Sequence, residues 1–263
     1  MNSPDFTAYL LAAGMGSRLQ PLTFHWPKCL MPINGKPLMS IWLSVLIESG
    51  CKKAFVNTSH HAEKVEQFLK KSLYADWVES LYEPNLLGTA GTLIKNYEKI
   101  KDQTILLIHA DNLCDCDFSK FIDYHYAGDR KKYPITMMTF TTDHPESCGI
   151  VDLNEAGVVT DMHEKKIGMT KRTANAAVYF IEPEVIDWIY AKKNISDFTL
   201  EVIPFFYGRI RAWHNNEVLR DIGTVSALRS IQRDDIKLPL YCKDEEWCSN
   251  FLKNSILSNI FEE

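Results

Sequence analysis

The chain has 263 residues, 46% of them hydrophobic and 24% charged, and a formal net charge of −5. These values suit a globular protein with a sizeable core and exclude a disordered chain; with no basic block, they also argue against a nucleic-acid surface. No apolar run is long enough to span a membrane, and the polar opening to Thr7 does not read as a signal peptide.

Thr7 to Ala12 is a short apolar run that reads as a buried strand. Leu38 to Ser49 has apolar residues at helical spacing and stops at Gly50, a natural helix end. Ala54 to Thr58 reads as a strand, Ala62 to Leu69 as an amphipathic helix and Trp77 to Tyr82 as a strand. Gly88 to Tyr97 reads as a helix and Thr104 to Ala110 as a strongly apolar strand. Strands alternating with helices predict an α/β fold with a mainly parallel sheet covered on both faces. Ligands of such sheets bind outside the carboxyl ends of the strands, so the loops after residues 12, 82 and 110 are the ones to inspect. Phe118 to Tyr126 predicts a helix and Pro134 to Thr142 a strand. Strand then follows strand: Gly149 to Leu153, Val158 to His163 and Ala176 to Ile181, with a turn at Asn154-Glu155-Ala156-Gly157. This is a β-rich extension. Glu182 to Tyr190 and Thr199 to Tyr207 read as helical. Arg209 to Trp213 and Glu217 to Arg220 read as a hairpin about Asn215-Asn216. Ala227 to Gln232 begins a last helix, and the charged tail from 234 reads as partly helical, either covering the core or joining two subunits.

The first strand ends in Leu11-Ala12-Ala13-Gly14-Met15-Gly16-Ser17-Arg18-Leu19-Gln20-Pro21-Leu22-Thr23, followed by Pro27-Lys28. Glycines there allow a tight turn and close approach of backbone to a ligand. Successive N–H groups in such a turn form a concavity for phosphate. Arg18 adds a fixed fork of donors, and Lys28 follows after a loop that Pro21 and Pro27 stiffen. A polyphosphate fits this set of groups. The P-loop pattern is absent. The dinucleotide fingerprint lacks its third glycine, because Leu19 stands there, so NAD is disfavoured.

These residues resemble the sugar-1-phosphate nucleotidyltransferases, or nucleotide-sugar pyrophosphorylases, whose signature is L-A-x-G-x-G-[ST]-R-L-x-P-L-T followed by P-K-x-L-x-P. Pro27-Lys28-Cys29-Leu30-Met31-Pro32 supplies the second part. The resemblance continues to about residue 232, with the motifs in the family's order. It implies a Rossmann-like, mainly parallel mixed sheet flanked by helices, with a β-rich sugar-binding extension. It places a nucleotidyltransferase domain at 1–232, with 1–130 mainly nucleotide-binding and 131–232 mainly sugar-phosphate-binding, and leaves 233–263 as a tail.

Leu87-Gly88-Thr89-Ala90-Gly91 resembles the family's L-G-T-A-G segment, which contacts base and ribose; small residues at a helix start also expose N–H groups. Asp111 closes a buried strand where the family reads G-D or G-D-N, with Ala110 in place of glycine; this aspartate binds Mg²⁺ in the family. Asp221-Ile222-Gly223-Thr224 resembles D-x-G-T, the second metal aspartate. Two carboxylates completed by phosphates and water is how Mg²⁺ is normally held. Ser147-Cys148-Gly149-Ile150-Val151 resembles the strand whose glycine lies against the sugar, with Cys148 in place of an aromatic residue. Glu164-Lys165 resembles the E-K pair that holds sugar hydroxyls and sugar phosphate. Ala174-Asn175-Ala176-Ala177 resembles N-A-G, with Ala177 where glycine is common. His60 and His61 are adjacent and diverge if helical, which argues for surface placement and against metal binding. The seven cysteines are scattered, and neither Cys114/Cys116 nor Cys242/Cys248 has zinc spacing, so reduced cytoplasmic thiols are expected.

By this resemblance the nucleotide is bound by Leu11, Ala12, Ala13, Gly14, Met15, Gly16, Ser17, Arg18, Glu83, Gly88, Thr89 and Ala90. The sugar phosphate is bound by Asn112, Gly149, Glu164, Lys165 and Asn175. Arg18, Lys28, Asp111 and Lys165 carry the chemistry, and Asp111 with Asp221 holds Mg²⁺. The implied reaction transfers a nucleoside monophosphate from a triphosphate to a sugar 1-phosphate. The look of Pro27 to Leu30 and Leu87 to Gly91 leans to GTP and a manno- or heptose-type sugar of a surface glycan. Uridylyl-, cytidylyl- and thymidylyl-transfer, a non-catalytic relative and homo-oligomerisation stay open. No nucleic-acid or membrane partner is expected.

Overall fold

The computed structural model describes residues 5–234 and 245–258. In chain order the elements are β1 (Thr7–Leu11), β2 (Pro32–Ile33), β3 (Lys36–Pro37), α1 (Leu38–Glu48), β4 (Ala54–Thr58), α2 (Ala62–Lys71), β5 (Val78–Tyr82), α3 (Gly88–Lys95), α4 (Tyr97–Ile100), β6 (Ile105–His109), β7 (Asn112–Asp115) and α5 (Phe118–Tyr126). They continue with β8 (Ile135–Thr141), β9 (Gly149–Leu153), β10 (Val159–Glu164), β11 (Thr173–Ile181), α6 (Pro183–Lys192), β12 (Ile210–Asn215), β13 (Val218–Asp221), α7 (Val225–Ile231), α8 (Glu245–Leu252) and α9 (Ser255–Ser258). The chain is α/β, as its alternating pattern predicts. The helix expected over Gly88 to Tyr97 is interrupted at Asn96. The helical stretch expected from Thr199 is a π turn at Phe198–Val202 followed by a 3₁₀ turn at Ile203–Phe206.

Two compact units are built from interleaved stretches of chain. The first, called here the loop unit, takes Ala8–Leu86, His109–Asp115 and the described residues from Val218 onward. Its strands β1, β4 and β5 pair in parallel, with Ala8 opposite Ala54 and Ala54 opposite Val78. β1 and β4 are almost wholly buried, which accounts for their nearly unbroken apolar runs. Helix α2 lays Val65, Phe68 and Leu69 inward against β4 and β5. Helix α1 is buried around most of its circumference and ends at Gly50, whose φ of +76° suits a helix terminus. A separate antiparallel ladder joins β7 to β13. The described part of the tail packs on this same unit: the Trp247 and Phe251 rings lie 4.9 and 5.7 Å from Trp26, and Trp247 lies 5.5 Å from Phe68. The remaining tail, 235–244 and 259–263, lies outside the described residues.

The second, the strand-rich unit, takes the described residues before Ala8, Leu87–Ile108 and Cys116–Glu217. Strand β11 is its hub, antiparallel to β6, β8 and β9, while β10 returns antiparallel along β9. This is the β-rich extension anticipated from the run of consecutive strands. The β11–β8 register shifts between Asn175 and Tyr179, at a bulge where Ala177 has φ +55°. That left-handed backbone explains why a glycine is the commoner residue there.

The hairpin expected about Asn215-Asn216 does not form. β12 pairs in parallel with β8, from Ile210 opposite Ile135 to Asn215 opposite Phe140, and β13 pairs with β7. The local turn chemistry is present, since the Asn215 side chain accepts the Glu217 N–H at 2.8 Å. Long-range pairing with the buried β8 overrides the local signal. Among the described residues no helix is long and apolar enough to cross a membrane.

Candidate active site

In the loop unit, β1 delivers the chain into a turn that its own glycines allow. Gly16 has φ +61°, and a Cβ there would meet Thr23 Cγ2 at 2.9 Å and Lys28 Cβ at 3.2 Å, so only glycine fits. Thr23 Oγ1 donates to the Gly16 carbonyl at 3.0 Å, closing the loop on itself. Gly14, Met15, Ser17 and Arg18 are exposed, while Ala12, Ala13 and Leu19 are buried. Exposed small residues are thus mounted on a buried base.

Lys28 follows Pro27 on a single 3₁₀ turn, and its side chain is only 8% exposed. Its Nζ donates to Asp111 Oδ2 at 2.7 Å and to Asp221 Oδ1 at 3.2 Å. Arg18, 66% exposed, places Nη2 3.2 Å from Asp221 Oδ2. The two carboxylates meet because β7 and β13 pair in a register that sets Asp221 opposite Asn112, the residue after Asp111. Trp42 on α1 steadies this corner by donating Nε1–H to the Asn112 carbonyl at 2.8 Å. Burial works against the charge of Asp111, but Lys28 and His109 outweigh it and hold its carboxyl below the usual carboxylate range. Gly223 lies close: a Cβ there would meet Arg18 Nη2 and Asp221 Oδ2, each at 2.7 Å.

Among the described residues no group of three His, Cys, Asp or Glu side chains could hold a metal. Cys29, Cys51, Cys114, Cys116 and Cys148 are free thiols, and burial pushes Cys29 and Cys51 up to about 12.

Three residues outside the predicted site support the loop. Asn57, at the end of β4, accepts from the Ala12 and Ala13 amides at 2.7 and 3.3 Å and donates to Glu83 Oε1 at 3.2 Å. His60 and His61 do not diverge, because α2 begins only at Ala62 and His61 is its left-handed cap. Both present Nε2 to the Thr23 carbonyl, at 3.1 and 2.9 Å, with ring centroids 4.1 Å apart. Burial, with nearby cationic groups, lowers His61 from its ordinary value despite the hydrogen bond to Thr23. Glu83 is buried and donates its own N–H to the Thr58 carbonyl at 2.8 Å.

The strand-rich unit holds the other predicted residues in two groups. Gly149 and Glu164 face each other across the β9–β10 ladder, and a Cβ on Gly149 would meet Glu164 Oε2 at 2.7 Å and Met162 Sδ at 3.3 Å. Asn175 reaches the same Met162 sulfur at 3.8 Å and accepts the Ala177 N–H at 3.0 Å. Lys165 leaves the strand at φ +46°, its N–H bound to the Cys148 carbonyl and its Nζ 3.3 Å from Glu164 Oε1. The second group surrounds the start of α3. Gly88 has φ +80°, and a Cβ there would collide with the Ser196 carbonyl at 2.3 Å. The Ala90 N–H donates to that carbonyl at 2.8 Å, and Thr89 Oγ1 accepts from the Phe198 N–H at 2.7 Å. The close approach that Gly88 permits is therefore to backbone of its own unit. Glu201 fixes that backbone by accepting from the Ser196 and Asp197 amides, each at 2.7 Å.

A glycine turn after β1, two cations, and two carboxylates brought together where β13 pairs with β7 make an α/β protein equipped to hold a polyanion. Residues 7–237 match the family described as nucleotidyl transferase, and the chain belongs to that family. Its relatives include the mannose-1-phosphate guanylyltransferase catalytic subunit beta of Drosophila melanogaster, 29% identical over 70% of this chain and 50% of the relative. The mannose-1-phosphate guanylyltransferase of Mycobacterium tuberculosis is 27% identical over 85% of this chain and 63% of the relative. The UTP–glucose-1-phosphate uridylyltransferase of a Synechocystis strain is 31% identical over 69% and 50%. The chain spans about half the length of most of these relatives.

Proposed function

We propose that the protein is a sugar-1-phosphate nucleotidyltransferase that makes a nucleotide sugar and pyrophosphate, with GTP and mannose 1-phosphate or a related heptose phosphate as substrates. The observation that carries this reading is the pairing of Lys28 and Arg18 with Asp111 and Asp221 beside the glycine turn. The family's reaction needs both sets of groups. The basic side chains serve the triphosphate. The carboxylates serve a divalent cation, Mg²⁺ in this reading, which supplies charge neutralisation on the reacting phosphates.

In this mechanism an oxygen of the sugar phosphate attacks the α-phosphorus. The bond from that phosphorus to the bridging oxygen breaks, and pyrophosphate leaves with the electron pair. The nucleophile is already ionised at neutral pH, so no side chain has to remove a proton. The work of the protein is alignment and neutralisation of two polyanions. The Gly14–Ser17 backbone and Arg18 bind the triphosphate, and Glu83 with the Gly88–Ala90 turn serves base and ribose. Lys28, given up by the carboxylates, neutralises the α-phosphate. Lys165 holds the sugar phosphate, while Asn112, Gly149, Glu164 and Asn175 line the sugar. We assign the reaction to the cytoplasm and its product to surface-glycan synthesis.

The guanylyltransferase relatives favour GTP, and the uridylyltransferase relative keeps UTP as the second reading. Pyrophosphate release with Mg²⁺ decides between them, using five nucleoside triphosphates against a panel of sugar 1-phosphates. Turnover confined to GTP with mannose or heptose 1-phosphate is expected. Turnover with UTP alone would move the base assignment, and silence across the grid from a folded protein would end the catalytic reading.

A further inference from the structure

The least expected side chain in the loop unit is Asn57. It interrupts the apolar strand Ala54–Thr58, lies opposite Leu11 in the parallel ladder, and is 4% exposed. A carboxamide buried this deeply costs stability unless its hydrogen bonds are made. Those bonds are directed at the loop. Oδ1 takes the N–H groups of Ala12 and Ala13, the last two residues before Gly14, at 2.7 and 3.3 Å. Both alanines are buried, so without Asn57 these bonds would be lost where water cannot replace them. Nδ2 donates to Glu83 Oε1 at 3.2 Å, and Glu83 is 1% exposed on the loop after β5.

The orientation of the amide follows from its partners. A backbone N–H only donates, so Oδ1 must face the two alanines, which leaves Nδ2 to donate to Glu83. One side chain thereby ties the start of the glycine turn to a buried carboxylate two strands away in the sheet. The turn's exposed amides can bind phosphate only if the chain leaves β1 in a fixed direction, and the two alanine amides set that direction.

We propose that Asn57 is a positioning residue for the triphosphate: it aims the Gly14–Ser17 backbone through the Ala12 and Ala13 amides and locks that aim to Glu83. This rests on the nucleotide reading above and assigns the loop's geometry to a residue outside it. Loss of the carboxamide disorders the aim of the turn while leaving Arg18, Lys28 and both aspartates in place. The consequence falls on whatever binds through phosphates, whichever base it carries.

The test measures equilibrium binding of GTP and of inorganic triphosphate to the full chain, with thermal unfolding as the fold control. Asn57→Ala is expected to weaken both ligands by about tenfold or more, equivalent to one or two lost hydrogen bonds. In steady state it raises the KM for the nucleotide and leaves the KM for the sugar phosphate unchanged. Asn57→Asp is expected to recover most of the binding, since it keeps the acceptor for the Ala12 and Ala13 amides. It also preserves the shape of the side chain if Asn57→Ala does not fold. Asn57→Ala binding within about twofold of the parent overturns the proposal. So does Asn57→Asp that folds but binds no better than Asn57→Ala. A parent protein that binds neither GTP nor triphosphate removes the nucleotide reading itself, an outcome separate from both.

Discussion

The turn at Gly14–Lys28 and the segment at Glu164–Gly168 both carry residues matched to a phosphorylated substrate, and they are built in opposite ways. The first is fixed from several sides by Asn57, Thr23, His60 and His61, and its lysine is 8% exposed. The second extends from a strand end into solvent: Lys165 is 66% exposed and Ile167 more so, and the lysine is held by its N–H bond to the Cys148 carbonyl and its contact with Glu164. A rigid backbone cradle suits the part of the substrate shared by every nucleoside triphosphate. An exposed side-chain pair suits a sugar phosphate that varies between relatives. Under the proposed function, preorganisation is concentrated where the ligand is constant.

The strongest way to break that contrast is to remove a charge from the rigid side. Lys28→Ala is expected to cut kcat by about 10²- to 10³-fold, the usual range for losing one group that stabilises developing charge. It also leaves Asp111 and Asp221 facing each other without their shared cation. A fall of less than tenfold, with the protein folded, would place Lys28 outside the chemistry.

Asp221→Asn comes next and divides by condition. With Mg²⁺, turnover should fall by about 100-fold, because one of the two proposed cation ligands is gone. Without a divalent cation, GTP should bind more tightly, by up to about fivefold, because Arg18 loses a competing carboxylate of the strength of an exposed ion pair. Titration calorimetry with and without chelator reads both signs. Weaker binding in chelator would show that Asp221 supports the basic residues instead of occupying them.

Lys165→Ala tests the exposed side. The KM for the sugar phosphate is expected to rise by about ten- to 100-fold, the worth of a charge-assisted hydrogen bond. GTP binding should stay within a factor of about two. A loss of GTP binding instead would mean that the two substrates are assigned to the wrong segments.

The contrast also explains what the sequence disclosed. The turn was legible because its backbone demands particular residues: only glycine tolerates φ +61° with Thr23 and Lys28 packed against it, and Pro27 sets the turn that carries Lys28. Asp221 was legible only through family resemblance, since its meeting with Asp111 depends on the register of β7 with β13, which no local pattern encodes. The same kind of long-range pairing defeated the Asn215-Asn216 hairpin. Asn57 was passed over because a lone asparagine in an apolar strand reads as a tolerated exception, and its significance lies in partners 44, 45 and 26 residues away. The divergence that His60 and His61 would show on a helix does not arise, because α2 starts only at Ala62.

A buried polar cluster in the strand-rich unit marks the limit of the contrast, because none of its residues is among the predicted site residues. His125 stacks on Phe180 with centroids 4.6 Å apart, bonds Thr136 Oγ1 at 2.8 Å and Glu182 Oε1 at 2.9 Å, and Arg130 donates to both oxygens of Glu182. Burial lowers His125 from its ordinary value despite Glu182. Burial alone would raise Glu182, but the bonds from His125 and Arg130 outweigh it and hold the carboxyl low. Both shifts have the same sign in linkage. As pH falls below the ordinary histidine value, about 6.5, the unfolded chain takes up a proton that folded His125 resists. Further down, the unfolded chain protonates its glutamate before folded Glu182 does, and the stability that Glu182 contributes is lost as pH falls through its folded value. Stability should therefore decline from neutral pH toward pH 5 and below. His125→Ala should cost about 2 kcal/mol at neutral pH, through the lost bonds and the cavity, and lower Tm by about 5 °C. It should also flatten the histidine part of the acid decline while leaving GTP binding unchanged. A Tm profile against pH that keeps its full slope in the variant would place that sensitivity elsewhere, and a change in GTP affinity would show that this cluster, like Asn57, reaches the nucleotide.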